Sequence, residues 1–128
     1  LSKGVHNALV EVFGIPSDDY FQTLTQHVPK AGLRFPRSFL GIEHGSEMVF
    51  VQITAAEGRS TEQKKALYNT IVDQLETNAG VPRSDVLINI IETKRENWSF
   101  GNGDAPFAYL PPLKLKPTMK ENNHDYIL

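Results

Sequence analysis

The run RENWSFGNGDAPF, from Arg95 to Phe107, holds the chain's only tryptophan, Trp98, together with Phe100, Phe107 and a Gly-Asn-Gly stretch. Aromatic side chains on a glycine-rich loop can wall a small apolar pocket. The same composition also describes a core tryptophan followed by a tight turn. A second candidate is Arg59 in AAEGRS, just ahead of a capped helix. Free main-chain N–H groups and a guanidinium at that point suit a carboxylate, although a solvated surface arginine would have the same local sequence. Asp18 and Asp19 follow Gly14-Ile15-Pro16-Ser17, where either can cap a turn. His6, His27, His44 and His124 show no metal-ligand spacing. The chain has no cysteine, which excludes disulfides, thiolate metal sites and a cysteine nucleophile.

These side chains must be positioned by regular elements, and the clearest is a helix from Ser60 to about Asn78. Ser60-Thr61-Glu62-Gln63 has the form of a capping box. Ala66, Leu67, Ile71 and Leu75 form its apolar stripe, and Gly80 with Pro82 ends it. EMVFVQITA (Glu47 to Ala55) before it and DVLINIIET (Asp85 to Thr93) after it read as strands. Strand–helix–strand order predicts a parallel pair joined by a right-handed crossover. Arg59 then follows the first of these strands and Trp98 the second.

The same pattern occurs earlier in the chain. Apolar residues at Leu1, Val5, Ala8, Leu9, Val12 and Phe13 have helical spacing. Gly14-Ile15-Pro16-Ser17-Asp18-Asp19 follows that helix as Gly80-Val81-Pro82-Arg83-Ser84-Asp85 follows the other, and strand-like YFQTLTQHV (Tyr20 to Val28) comes next. Two copies of one βαβ unit are expected. The first copy lacks its leading strand and the front of its helix. The alternating PPLKLKP (Pro111 to Pro117) and the segment Thr118 to Leu128 match those missing pieces. The expectation is a circularly permuted order, with residues 111–128 supplying the first strand and the front of the first helix, and Leu128 lying close to Leu1; the alternative is a truncated N-terminus with an unrelated tail. Between Pro29 and Glu47, a Gly- and Pro-rich segment is expected to carry a short edge strand around Phe39 to Ile42.

Composition bounds the rest. The chain has 128 residues, 40% of them apolar, and a net charge of −2. That fits a single domain spanning residues 1–128 with a substantial core. The mild acidity offers no argument for nucleic acid or membrane binding. No apolar run is long enough to span a membrane, and the cytoplasm is the expected compartment.

Taken together, FGIPSDDYFQ, EGRSTEQKKALY and ENWSFGNGDAPF resemble the tautomerase superfamily, and its malonate semialdehyde decarboxylase-like branch in particular. The resemblance implies an α/β fold in which two βαβ units form a four-stranded mixed sheet with two helices on one face, assembled as a homotrimer. It implies an enzyme acting on a small 2- or 3-oxo acid, by keto–enol tautomerisation or by decarboxylation of a 3-oxo acid, with neither metal nor organic cofactor. The family's acid–base group is an N-terminal proline amine, and Pro111 falls at that position, with Pro112 the next candidate. Asp19 matches the acid that assists decarboxylation or hydration, and Arg59 the arginine that holds the substrate carboxylate. Trp98, Phe100 and Phe107 match the apolar wall. Two departures stand out. Glu57 occupies the place of the decarboxylase's second arginine, and a proline inside a chain has a non-basic amide nitrogen. The proline chemistry therefore requires a chain that starts at Pro111 or Pro112. The alternative is a non-catalytic trimeric carboxylate-binding protein.

Overall fold

The structure, a computed structural model, describes residues 1–28 and 31–107. The capping box forms as expected. Ser60 accepts from the Gln63 amide at 3.1 Å, and the Gln63 side chain accepts from the Ser60 amide at 3.1 Å. Helix α2 runs Thr61–Ala79, with Gly80 as its left-handed C-cap. Strand β3 (Val49–Ala56) precedes it and β4 (Val86–Thr93) follows. The two pair in parallel, with Val49 opposite Val86 and Ala56 opposite Thr93. Val49, Val51, Ile53 and Ala55 of β3 and Val86, Ile88 and Ile90 of β4 turn one face inward, onto Leu67, Ile71 and Leu75 of α2. Ala66, expected on that stripe, is exposed. It lies one residue off the i, i+4, i+8 spacing of the three buried residues.

The first helix is less regular than its sequence suggests. Helix α1 is Ser2–Ala8, and residues Leu9–Phe13 continue it as a π-helical stretch ending at Gly14. Ala8, Leu9 and Phe13 join the core on the same side as α2, whereas Leu1 is half exposed. Both helices therefore cover one face of the parallel pair.

The two turns that follow the helices share one geometry. Gly14 and Gly80 both lie in the left-handed region, with φ of 70° and 67°. That region is open to glycine at little steric cost. Ile15 and Val81 are buried. The amides of Asp19 and Asp85 donate to the carbonyls of Pro16 and Pro82 at 3.0 and 2.9 Å. The repeat is thus structural as well as sequential at this point. Asp85 ends a 3-10 turn (Arg83–Asp85) rather than opening the strand. Its buried carboxylate accepts the amides of Gly45 at 2.7 Å and Glu47 at 3.1 Å, tying the approach to β3 onto the start of β4.

Elsewhere the observed pairing differs from the expected single sheet of four strands. The described residues contain two separate two-stranded sheets. The second is an antiparallel hairpin of β1 (Ser38–Phe39) and β2 (Ile42–Glu43), so the edge strand expected around Phe39 to Ile42 is instead a turn at Leu40-Gly41 flanked by short strands. Leu40 and Gly41 both have positive φ, 52° and 78°, as a two-residue hairpin turn demands. Tyr20 to Val28, expected as a strand, is irregular. Alternating residues make a strand only where a neighbour completes the ladder, and no described strand pairs with it. The strand expected at Pro111–Pro117, the helix expected at Thr118–Leu128 and the Leu128 side of the expected junction lie outside the described residues.

Replacing Asp85 by Ala should lower the unfolding free energy by roughly 1.5–3 kcal/mol, the range for hydrogen bonds to a charged group. Urea titration measures this, and Asp85→Asn, which keeps one acceptor oxygen, should lose less.

Candidate active site

The carboxyl-terminal ends of the parallel strands carry the candidate residues, which is where open α/β sheets commonly place ligands. The ladder extends one step past β3, where the Glu57 amide donates to the Thr93 carbonyl at 2.9 Å. Gly58 then turns the chain at φ 128°, a value that side chains rarely tolerate. Arg59 follows and is 7% exposed. Its Nη1 donates to the Ala56 carbonyl at 3.3 Å, and its guanidinium carbon lies 4.8 Å from the centre of the Phe13 ring. The π-helical end of the first helix thus lies against the guanidinium. Arg59 is a buried, positioned cation and not a solvated surface arginine.

Beyond β4 the chain makes a 3-10 turn (Arg95–Asn97) and enters the aromatic run. Trp98 and Phe100 stack with centres 5.5 Å apart and planes 10° from parallel, and Phe107 meets Phe100 edge-on at 5.7 Å. The return from Phe100 to Phe107 is made by a tight turn in which the Asp104 amide donates to the Gly101 carbonyl at 3.2 Å, with Asn102 and Gly103 both at positive φ. The Gly-Asn-Gly stretch therefore serves both expectations: it is a tight turn, and it folds the aromatic wall together. Phe107 and Ala56 form a small buried cluster against which Trp98 packs. Ala56 is the hinge of the arrangement, since its carbonyl takes Arg59 and its side chain takes Phe107.

Asp19 is buried, at 9% exposure. Phe21, two residues on, tilts against Phe100 at 5.6 Å, so the loop carrying Asp19 borders the aromatic wall. That loop is laid along α1 by three contacts. His6 donates from Nε2 to the Ser17 carbonyl at 2.9 Å, Tyr20 meets the His6 ring edge-on, and Gln22 donates to the Ser2 carbonyl at 3.3 Å. His44 similarly donates from Nδ1 to the Pro36 carbonyl at 2.8 Å. Two of the four histidines thus hold main-chain carbonyls. No group of three or more His, Asp or Glu side chains among the described residues is arranged to hold a metal ion. The site's expected residues Arg59, Trp98, Phe100 and Phe107 therefore come together, the loop that carries Asp19 borders them through Phe21, and Pro111 lies outside the described residues.

Residues 19–101 match the family model described as "Tautomerase enzyme". The chain belongs to the tautomerase superfamily. Among curated tautomerase relatives, "Probable tautomerase YusQ" of Bacillus subtilis is 37% identical over 105 residues, 82% of each chain. Two solved structures of malonate semialdehyde decarboxylase are also similar. One, inhibited by 3-bromopropiolate, is 37% identical with a TM-score of 0.77, covering 83% of this chain and 79% of the other. The second, from a study of wild-type, mutant and inactivated enzyme, is 33% identical with a TM-score of 0.75, covering 83% and 81%. The α/β tautomerase-like fold with two helices and four strands accords with these likenesses.

Three residues at this site carry no signal in the sequence. Phe21 lies in a stretch that reads as an ordinary strand. Thr93 reads as the last residue of one, and Arg95 only as the first residue of the aromatic run. Thr93 joins the two halves of the site: the Trp98 indole N–H donates to its Oγ1 at 2.6 Å, and that hydroxyl donates to the Ala55 carbonyl at 3.4 Å. Thr93→Val should lower stability by roughly 0.5–1.5 kcal/mol and shift the Trp98 fluorescence maximum. An unchanged emission spectrum would show that Thr93 does not hold the indole.

Proposed function

We propose that this tautomerase-superfamily chain is an enzyme acting on a small 2- or 3-oxo acid, either by keto–enol tautomerisation or by decarboxylation of a 3-oxo acid such as malonate semialdehyde. The observation that carries the reading is the buried Arg59 guanidinium, joined through Ala56 to a wall of Trp98, Phe100 and Phe107. A cation at the edge of an apolar wall suits a ligand with one carboxylate and a short carbon chain. The similarity to malonate semialdehyde decarboxylase supports the same substrate class.

In this reading Arg59 holds the substrate carboxylate and Asp19 assists decarboxylation or hydration. The acid–base group is the secondary amine of Pro111, when its nitrogen is the free start of a chain. An α-amine has a pKa of about 7.7–8.0 in water, and a desolvated pocket beside a guanidinium lowers it. As a free base the amine moves a proton beside the carbonyl, and protonated it polarises the carbonyl oxygen. The cytoplasm is the proposed compartment.

The chain is further proposed to work as a homotrimer. The sheet face turned away from the helices carries Phe50, Leu87 and Ile91, which are 46%, 44% and 41% exposed. Phe50 and Leu87 stand directly opposite each other in the ladder. Apolar residues grouped in this way mark interaction surfaces.

Arg59→Ala should weaken binding of small oxo acids by roughly 1.5–3 kcal/mol, measured by calorimetry. Phenylpyruvate tautomerisation and carbon dioxide release from malonate semialdehyde test turnover. A chain starting at Pro111 or Pro112 should exceed one with both prolines in amide linkage by about 10²–10⁴-fold, the contribution of a general acid–base group. Equal rates would remove the proline from the mechanism. Oxo-acid binding with no turnover in either form would favour the carboxylate-binding alternative. Sedimentation should give a trimer, and Phe50→Glu should dissociate it.

A further inference from the structure

Neither its sequence context nor the oxo-acid reading accounts for the setting of Arg95. It opens the turn after β4, within a charged stretch that would ordinarily face solvent. Yet both terminal nitrogens of its guanidinium are buried and have no hydrogen-bond partner among the described residues. Its guanidinium carbon lies 5.9 Å from the centre of the Phe107 ring. That ring packs on Ala56, whose carbonyl accepts from Arg59. The cations of Arg59 and Arg95 are therefore linked through one small cluster at the end of the sheet.

A guanidinium is always charged at physiological pH and carries its donors in a fixed planar fork. Sealing those donors from water without acceptors is costly, and attraction to an aromatic face recovers only part of that cost. Buried polar groups in folded proteins are normally satisfied, so an orphaned cation calls for a partner. The planar fork fits a carboxylate with two parallel hydrogen bonds. Arg95 takes no part in the ion pairs of Lys64 with Glu92 or of Arg83 with Asp73 and Glu76.

We infer that Arg95 is a second carboxylate-binding residue, so that the site takes a short dicarboxylate or an oxo acid with a second acidic group in preference to a monocarboxylate. The inference rests on the reading in which Arg59 takes the first carboxylate. The apolar surface of Phe107 and its aromatic neighbours then faces the carbon chain between the two acidic groups.

The experiment compares malonate with propionate at fixed ionic strength, using Trp98 fluorescence and the ligand-induced rise in melting temperature. The intact chain should bind malonate at least tenfold more tightly than propionate. R95Q should bring malonate close to the propionate level, whereas R59Q should weaken both ligands. R95M provides a readout independent of ligand. Removing a buried cation that has no hydrogen-bond partner among the described residues should raise the melting temperature of the ligand-free protein while abolishing the preference for malonate. A malonate preference that survives in R95Q or R95M overturns the inference. So does a lowered melting temperature or a changed oligomeric state in R95M, which would assign Arg95 to structure or to a subunit interface. If R59Q leaves propionate binding as it was, the first-carboxylate reading fails instead, and the two failures are distinguishable.

Discussion

The parallel register that sets Ala56 beside Thr93 is the constraint on which the rest of the site depends. Each strand ends there and hands the chain to a different part of the machinery. Past Ala56, a glycine turn delivers Arg59 back onto the Ala56 carbonyl. Past Thr93, a short turn delivers Trp98 back onto the Thr93 hydroxyl. Both returns are anchored on atoms of the last ladder positions. A slip of one residue would move every inward side chain to the other face and would also separate the arginine from the aromatic wall. The core keeps the register from slipping, because Val49, Val51, Ile53, Val86, Ile88 and Ile90 must all meet the same helices.

The repeated turn shows one local solution put to two uses. In both copies a left-handed glycine stops the helix, a branched apolar residue enters the core, and an aspartate closes the turn onto a proline carbonyl. In the second copy the aspartate spends its oxygens on two amides of the chain approaching β3. In the first copy the corresponding aspartate lies in a loop held against α1 and bordering the aromatic wall. The same turn backbone therefore ends in a buried aspartate that holds scaffold amides in one copy and stands in the loop beside the aromatic wall in the other.

Much of this was legible in the sequence where the governing interactions are local. Ser60 and Gln63 signal their capping box because both partners lie within one turn. The parallel pair follows from β-rich runs on either side of a helix. Trp98, Phe100 and Phe107 announce themselves by density on a glycine-rich loop. The misreadings arise where a distant partner decides. Tyr20 to Val28 has the composition of a strand, but no strand among the described residues pairs with it. Leu40, a large apolar residue, gives no hint that it will take a left-handed turn position. The π-helical stretch at Leu9–Phe13 keeps the apolar spacing of a regular helix, so periodicity cannot distinguish the two. Arg95 and Thr93 matter only through contacts across space at the strand ends, which no short motif encodes.

The order of elements also bears on how the chain reaches this state. Strand β3, helix α2 and strand β4 are consecutive, and a short connection follows each of the first two. The pairing at the centre of the molecule therefore closes a modest loop, whose entropic cost is small and grows slowly with length. The helix inside that loop is self-capped and can begin to form before the strands meet. Such an arrangement favours a folding nucleus within residues 49–93, onto which α1 and the hairpin dock afterwards. The ends of β3 and β4, and with them the positions of Arg59 and Trp98, are then set early, by the part of the chain that can assemble with the fewest distant contacts.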